Sequence, residues 1–133
     1  HVPVLLNRLR LFGVDQLLGG RSVVASAGGA MALSDRVVLF HDSPPWGPGH
    51  AEVGEVGMGL YPDVVALPDP SVRLSLDDPG RVSRMALRFA PETCVLLEPG
   101  TRVEWDAAAA VWKPHGARRL TAVGTPASWE VAA

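Results

Sequence analysis

The stretch Val23-Val24-Ala25-Ser26-Ala27-Gly28-Gly29-Ala30-Met31 constrains the chain most. A β-branched apolar run stops at a serine, two glycines follow, and Ala30-Met31-Ala32-Leu33 then favours helix. The pattern predicts a strand over 21–25, a sharp turn and a helix start, with Ser26 at the corner. A serine so placed holds its hydroxyl out beside the helix's first amides, which lack intrahelical partners. Such amides stabilise an oxyanion, so acyl chemistry by a serine nucleophile is one reading of the turn, with Ala27, Gly28 and Gly29 as its oxyanion residues. The first glycine of a G-x-S-x-G elbow is replaced by Val24. The plainer reading is that Gly28 and Gly29 merely let a helix pack close to a strand.

Length and composition bound the choices. The 133 residues suit one domain, 1–133, with a real core. The hydrophobic share is 47% and the charged share 20%, which is a globular composition. A net charge of −2 with no basic run argues against nucleic acid and acidic membrane surfaces as partners. No apolar run approaches a membrane span and no signal peptide is present, so a cytoplasmic, reducing setting is expected. The one cysteine, Cys94, lies within the apolar run 93–97 and reads as a small core residue. No metal-ligand spacing and no cofactor motif stands out. The sequence begins His1-Val2-Pro3, which is read as a lost tag, pro-segment or front half.

Read in order, Pro3 opens a helix whose Leu5, Leu9 and Phe12 recur at i, i+4 and i+7, with Gly13 as its end. Val37–Phe40 is a buried strand ending in His41-Asp42. Residues 43–50 form a stiff loop with three prolines, Trp46 and His50. Glu52–Leu60 is glycine-rich and ambiguous, and Val64–Leu67 is a third apolar run, broken by Pro68-Asp69-Pro70. Asp78 and Pro79 then cap a helix with Val82, Met85, Ala86 and Phe89 inside. Its Arg81, Arg84 and Arg88 read as a solvated face rather than a binding patch. Thr93–Leu97 is a fourth buried strand, and Arg102–Trp105 alternates as a half-exposed one. Ala107–Trp112 reads as helix or strand, stopped by Lys113-Pro114-His115-Gly116, and a terminal strand follows over 120–123.

Buried strands alternating with helices predict an α/β fold with a largely parallel sheet and flanking helices. Sites in such sheets lie at the carboxyl ends of strands, where Ser26, His41, Asp42 and Asp69 are all expected.

These residues resemble the peptidase E (aspartyl dipeptidase) and cyanophycinase group of serine peptidases, which share the class I glutamine amidotransferase-like, flavodoxin-like fold. The resemblance rests on Ser26-Ala27-Gly28-Gly29-Ala30-Met31, on Phe40-His41-Asp42 and on Leu96-Leu97-Glu98-Pro99-Gly100-Thr101. It spans nearly the whole chain and implies the back portion of that fold, lacking the N-terminal strands. It further implies a Ser26 nucleophile, an acidic partner at Asp42 and hydrolysis of short or acidic peptides. The family's Pro-His pair after the third strand is Pro68-Asp69 here, so the expected base is replaced by a carboxylate.

A serine needs a base to become a nucleophile at neutral pH. Carboxylic acids titrate about pH 4 and are poor bases for a hydroxyl, which leaves His50 and His41 as substitutes for Asp69. His41 and Asp42 are adjacent on a strand and point to opposite faces, so they do not form a pair. Trp46 and Glu98 are the candidate pocket residues, each with an ordinary surface or turn role as the alternative. Two functions follow. One is a peptidase E-like hydrolase impaired at its base; the other is a non-catalytic relative used for binding or assembly. A fold missing strands on one side is also expected to self-associate or to bind a complementary N-terminal segment.

Overall fold

The computed structural model describes residues 1–40 and 51–130. Helix α1 (Val2–Leu11) is followed by the short α2 (Val14–Leu18) and by α3 (Ala27–Leu33). Strands β1 (Arg36–Phe40) and β2 (Ala51–Val56) form an antiparallel pair. Then come β3 (Val64–Pro68), α4 (Pro70–Arg73), α5 (Pro79–Phe89) and β4 (Thr93–Leu97). A hairpin of β5 (Arg102–Asp106) and β6 (Val111–His115) precedes the two-residue strands β7 (Arg118–Arg119) and β8 (Ala127–Ser128). The architecture is mixed α/β, and its largest sheet has the order β3-β4-β7-β8.

The largely parallel sheet expected from the sequence is reduced to one parallel pair, at the β3 edge of the largest sheet. Among the described strands, β3 and β4 alone pair in parallel, from Val64 opposite Thr93 to Pro68 opposite Leu97. The other strand pairs are antiparallel. The physical reason lies in the connections. Strands β3 and β4 are joined by a crossover that carries α4 and α5, as a parallel pair requires. The connection from β4 to β7 is filled by the β5–β6 hairpin, and β7 returns antiparallel to β4. At the β5–β6 turn the Asp106 carboxylate accepts from the Ala108 and Ala109 amides, at 3.0 and 3.1 Å. That Asx turn makes the alanine run a hairpin tip instead of the expected helix or strand. Pro114 does not stop β6, because the strand pairs with β5 alone and Pro114 sits opposite Val103.

The strand expected over 21–25 is absent: these residues form no ladder, and Val24 is 98% exposed. A β-branched run becomes a strand only when a neighbour takes its amides and carbonyls, and no described strand does so. In α1, Val2, Leu5, Leu6 and Leu9 face the core of Met31, Ala32 and Val37. Phe12, expected on that face, lies past the helix end and is 69% exposed. Helix α5 follows expectation. The Asp78 carboxylate accepts from the Arg81 amide at 3.1 Å, and Val82 and Phe89 are buried against Val65, Leu67, Cys94 and Leu96.

Ser34, at the end of α3, joins these parts. It is fully buried; its hydroxyl donates to the Ala30 carbonyl at 3.1 Å and accepts from the Ala66 amide of β3 at 3.3 Å. The backbone after β2 crosses the same corner and caps α3. The amides of Met58 and Leu60 donate to Ala32 and Leu33 at 2.8 and 2.9 Å, and that of Gly59 to Ser34 at 3.2 Å. A Cβ on Gly57 would stand 1.8 Å from the Ser34 carbonyl oxygen, so only glycine permits this approach. Arg36, at the start of β1, ties the hairpin to the far sheet. Its guanidinium donates to the Phe89 carbonyl and to the Glu92 carboxylate, and lies 5.0 Å from the Phe89 ring centre. Among the described residues no helix is long and apolar enough to cross a membrane.

Removing the Ser34 hydroxyl leaves the buried Ala66 amide without that acceptor. Ser34→Ala is expected to cost about 1–3 kcal/mol in denaturant unfolding. Ser128→Ala, at an exposed position, is expected to change stability by less than about 0.5 kcal/mol.

Candidate functional site

Ser26 stands at a coil-to-helix corner rather than a strand-to-helix one. It is the N-cap of α3, with extended backbone (φ −137°, ψ 161°), and its side chain makes no capping bond. Its carbonyl accepts from the Gly29 amide at 2.9 Å and the Ala30 amide at 3.2 Å. The Gly29 amide is thus committed to the helix, which removes it from the expected oxyanion set. Ala27, next to the serine, has a left-handed φ of 46°. A Cβ on Gly28 would lie 3.4 Å from a methyl of Val2, so this glycine serves the packing of α3 against α1. The close strand neighbour expected for the double glycine is not found: at Gly28 the neighbour is helix α1, and at Gly29 the nearest atom is the Ala25 methyl, 4.0 Å away.

His41, Asp42, Trp46 and His50 lie outside the described residues. Phe40 precedes them at the end of β1, and the guanidinium of Arg73 in α4 lies 5.2 Å from its ring centre. The carboxyl ends of β1 and β3 are thus neighbours.

Asp69 follows β3, as expected, and is exposed. It caps α4 with left-handed backbone (φ 49°, ψ 48°), and its carboxylate makes no capping bond. Its amide donates to the Leu97 carbonyl at 3.2 Å, which brings the ends of β3 and β4 together. Glu98, the next residue after β4, is more than a turn residue. Its carboxylate accepts from the Ser71 hydroxyl and stands 3.5 Å from the Arg118 guanidinium, with its side chain 21% exposed. Its backbone carbonyl accepts from the Thr101 amide and hydroxyl, at 3.0 and 2.9 Å.

The structure thus brings Asp69 and Glu98 to one end of the parallel pair and adds Ser71 and Arg118. Sequence reasoning missed both additions. Ser71 carried one signal, its place just beyond a strand-ending Pro-Asp-Pro. Arg118 carried none, since it reaches the site only through the return of β7 alongside β4. No hydrogen bond or ion pair connects Ser26 to Asp69 or Glu98 among the described residues.

Among the described residues the Ser71 hydroxyl of this cluster meets a carboxylate and no imidazole. A serine hydroxyl donating to a carboxylate has no imidazole to take its proton onward. The described histidines do not supply one: His115 ends β6, with its Nε2 3.6 Å from Glu104, and His1 begins the chain. The cluster consists of a carboxylate, Glu98, that a hydroxyl and a guanidinium approach from α4 and β7. Among the described residues no group of three His, Cys, Asp or Glu side chains converges as a metal site.

Cys94 is the other potential nucleophile, and it is buried in the middle of the sheet. Burial pushes its thiol up to about 12, with Arg36 opposing and Glu92 adding to the shift. It is expected to resist iodoacetamide until the protein unfolds. The unfolded thiol ionises about pH 9 and the folded one about pH 12. Its contribution to stability is therefore complete below pH 9 and falls as pH rises between those values, with a slope approaching about 1.4 kcal/mol per pH unit. Unfolding of Cys94→Ala across that range should lack this component of the slope.

Comparison with protein-family models, with curated proteins and with solved structures finds no match to this chain.

Proposed function

We propose that this domain works by association and binding rather than by peptide hydrolysis, on an amidotransferase-like, flavodoxin-like α/β fold in a cytoplasmic setting. One observation carries the reading. Val4 and Leu11, two helical turns apart on α1, are 52% and 79% exposed, and Phe12, Leu17 and Val24, further along the same segment of the chain, are exposed too. Large apolar side chains gathered on one short segment mark a contact surface. The replacement of a histidine by Asp69 supports the same reading, since loss of a triad base costs about a millionfold in turnover in the subtilisin case. The partner that fits best is a second copy of the chain or a complementary apolar segment.

Sedimentation velocity tests this. The purified chain is expected to associate with rising concentration, and Leu11→Glu with Phe12→Glu to disperse it while far-UV circular dichroism stays unchanged. A clean monomer at high micromolar concentration overturns the reading.

A specific observation favours a second reading, the peptidase E-like hydrolase acting on short or acidic peptides. The Ser26 hydroxyl makes no capping bond at a helix start and has no hydrogen-bond partner among the described residues, beside a left-handed alanine, and backbone strain gathers at reactive turns. On this reading His50 or His41 is the base and Asp42 its acidic partner. A fluorophosphonate probe read by intact mass separates the two. The association reading expects no adduct, whereas stoichiometric labelling abolished by Ser26→Ala establishes the hydrolase.

A further inference from the structure

The arginines of α5 have a second aspect. Arg81, Arg84 and Arg88 recur at i, i+3 and i+7, so they form one stripe beside the apolar stripe of Val82, Met85 and Phe89. Between α5, the segment 74–76 and Leu120 the structure leaves a cavity of about 560 Å³. Its apolar lining is Leu74, Leu76, Val82, Met85, Phe89 and Leu120, and all three arginines border it. The volume lies within the usual range of small-molecule sites, about 300–1,000 Å³.

The charged side chains that line this cavity are all arginines. No carboxylate lines it, and Ser75 is its other polar residue. Arg81 is held by Asp78, 3.3 Å away. Arg84 and Arg88 are exposed and make no ion pair within 4 Å among the described residues, so both are available to an anion at the border of the apolar recess. Such a recess rejects cations and gives a neutral chain no anchor. It matches a molecule with a hydrocarbon body and one anionic end.

We propose that this cavity binds a single acyl carboxylate, its chain between Leu74, Leu76, Met85 and Phe89 and its carboxylate on Arg84 and Arg88. The recess lies between packed elements and receives one chain from solution, unlike a helix face laid on a bilayer. The site shares no residue with the apolar stripe of α1 or with the Ser71–Glu98–Arg118 cluster, so it stands apart from the association reading.

The test is calorimetric titration of the whole chain with decanoate, decanol and decyltrimethylammonium, each below its micelle concentration. Decanoate is expected to bind saturably and to raise the melting temperature. Decanol should bind about tenfold or more weakly for want of the charged contact, and the cation should not bind. Arg84→Glu with Arg88→Glu, at exposed positions, should abolish decanoate binding without changing the circular dichroism. Met85→Trp should block it by filling the recess. The proposal is overturned if decanol matches decanoate, if the double glutamate variant still binds it, or if no soluble probe saturates while anionic phosphatidylglycerol vesicles do.

Discussion

The buried hydroxyl of Ser34 is the point at which the separate parts of this structure become one. Strand β3 is paired on one edge by β4; on the other, the Ala66 amide faces the corner where α3 ends. An amide buried there without a partner is costly, and a side-chain oxygen supplies the acceptor that a neighbouring strand would otherwise give. The same residue closes α3 through Ala30 and receives Gly59 on its carbonyl. Helix, hairpin and sheet therefore share one polar junction inside an apolar corner. Gly57 belongs to it, because any side chain there would collide with the Ser34 backbone.

Arg36 makes the complementary link at the amino end of the sheet. A guanidinium drawn in among the carbonyls of Arg88, Phe89 and Ala90 and the Glu92 carboxylate fastens β1 to the α5–β4 corner. With the amino ends tied in this way, the carboxyl ends of β1, β3 and β4 gather at the opposite side. There Arg73 covers Phe40, and Asp69 meets Leu97. The Ser71–Glu98–Arg118 cluster occupies that side as a consequence of the parallel pairing. This placement is the general logic of α/β sheets, reached here with a single parallel pair.

The tryptophans show how far side chains from distant parts of the chain converge. Trp112 stacks at a tilt on Trp105 and on Trp129, meets Tyr61 edge to face, and donates its indole N–H to the Pro62 carbonyl at 2.8 Å. This group anchors the β5–β6 hairpin to the start of β3. The aromatic rings supply buried area to a hairpin that shares no ladder with the main sheet. Local pattern gave no sign of it, because its members are separated by loops and strands whose return path is a tertiary matter.

What was legible in the residues was whatever depends on near neighbours. The Asp78-Pro79 start of α5, the apolar runs that became β1, β3 and β4, the left-handed Gly13 and the burial of Cys94 all follow from local sterics, capping and continuous apolar character. What depended on a distant partner was not legible. Val23-Val24-Ala25 has strand composition but no strand beside it among the described residues, and Val24 faces solvent. Glu98 becomes a linking carboxylate only because β7 returns beside β4 with Arg118. The arginines of α5 are outward by periodicity, as read. That they stand over an apolar cavity was decided by how Leu74, Leu76 and Leu120 close around the helix, since the shape left between packed elements is a property of the whole fold and of no single segment.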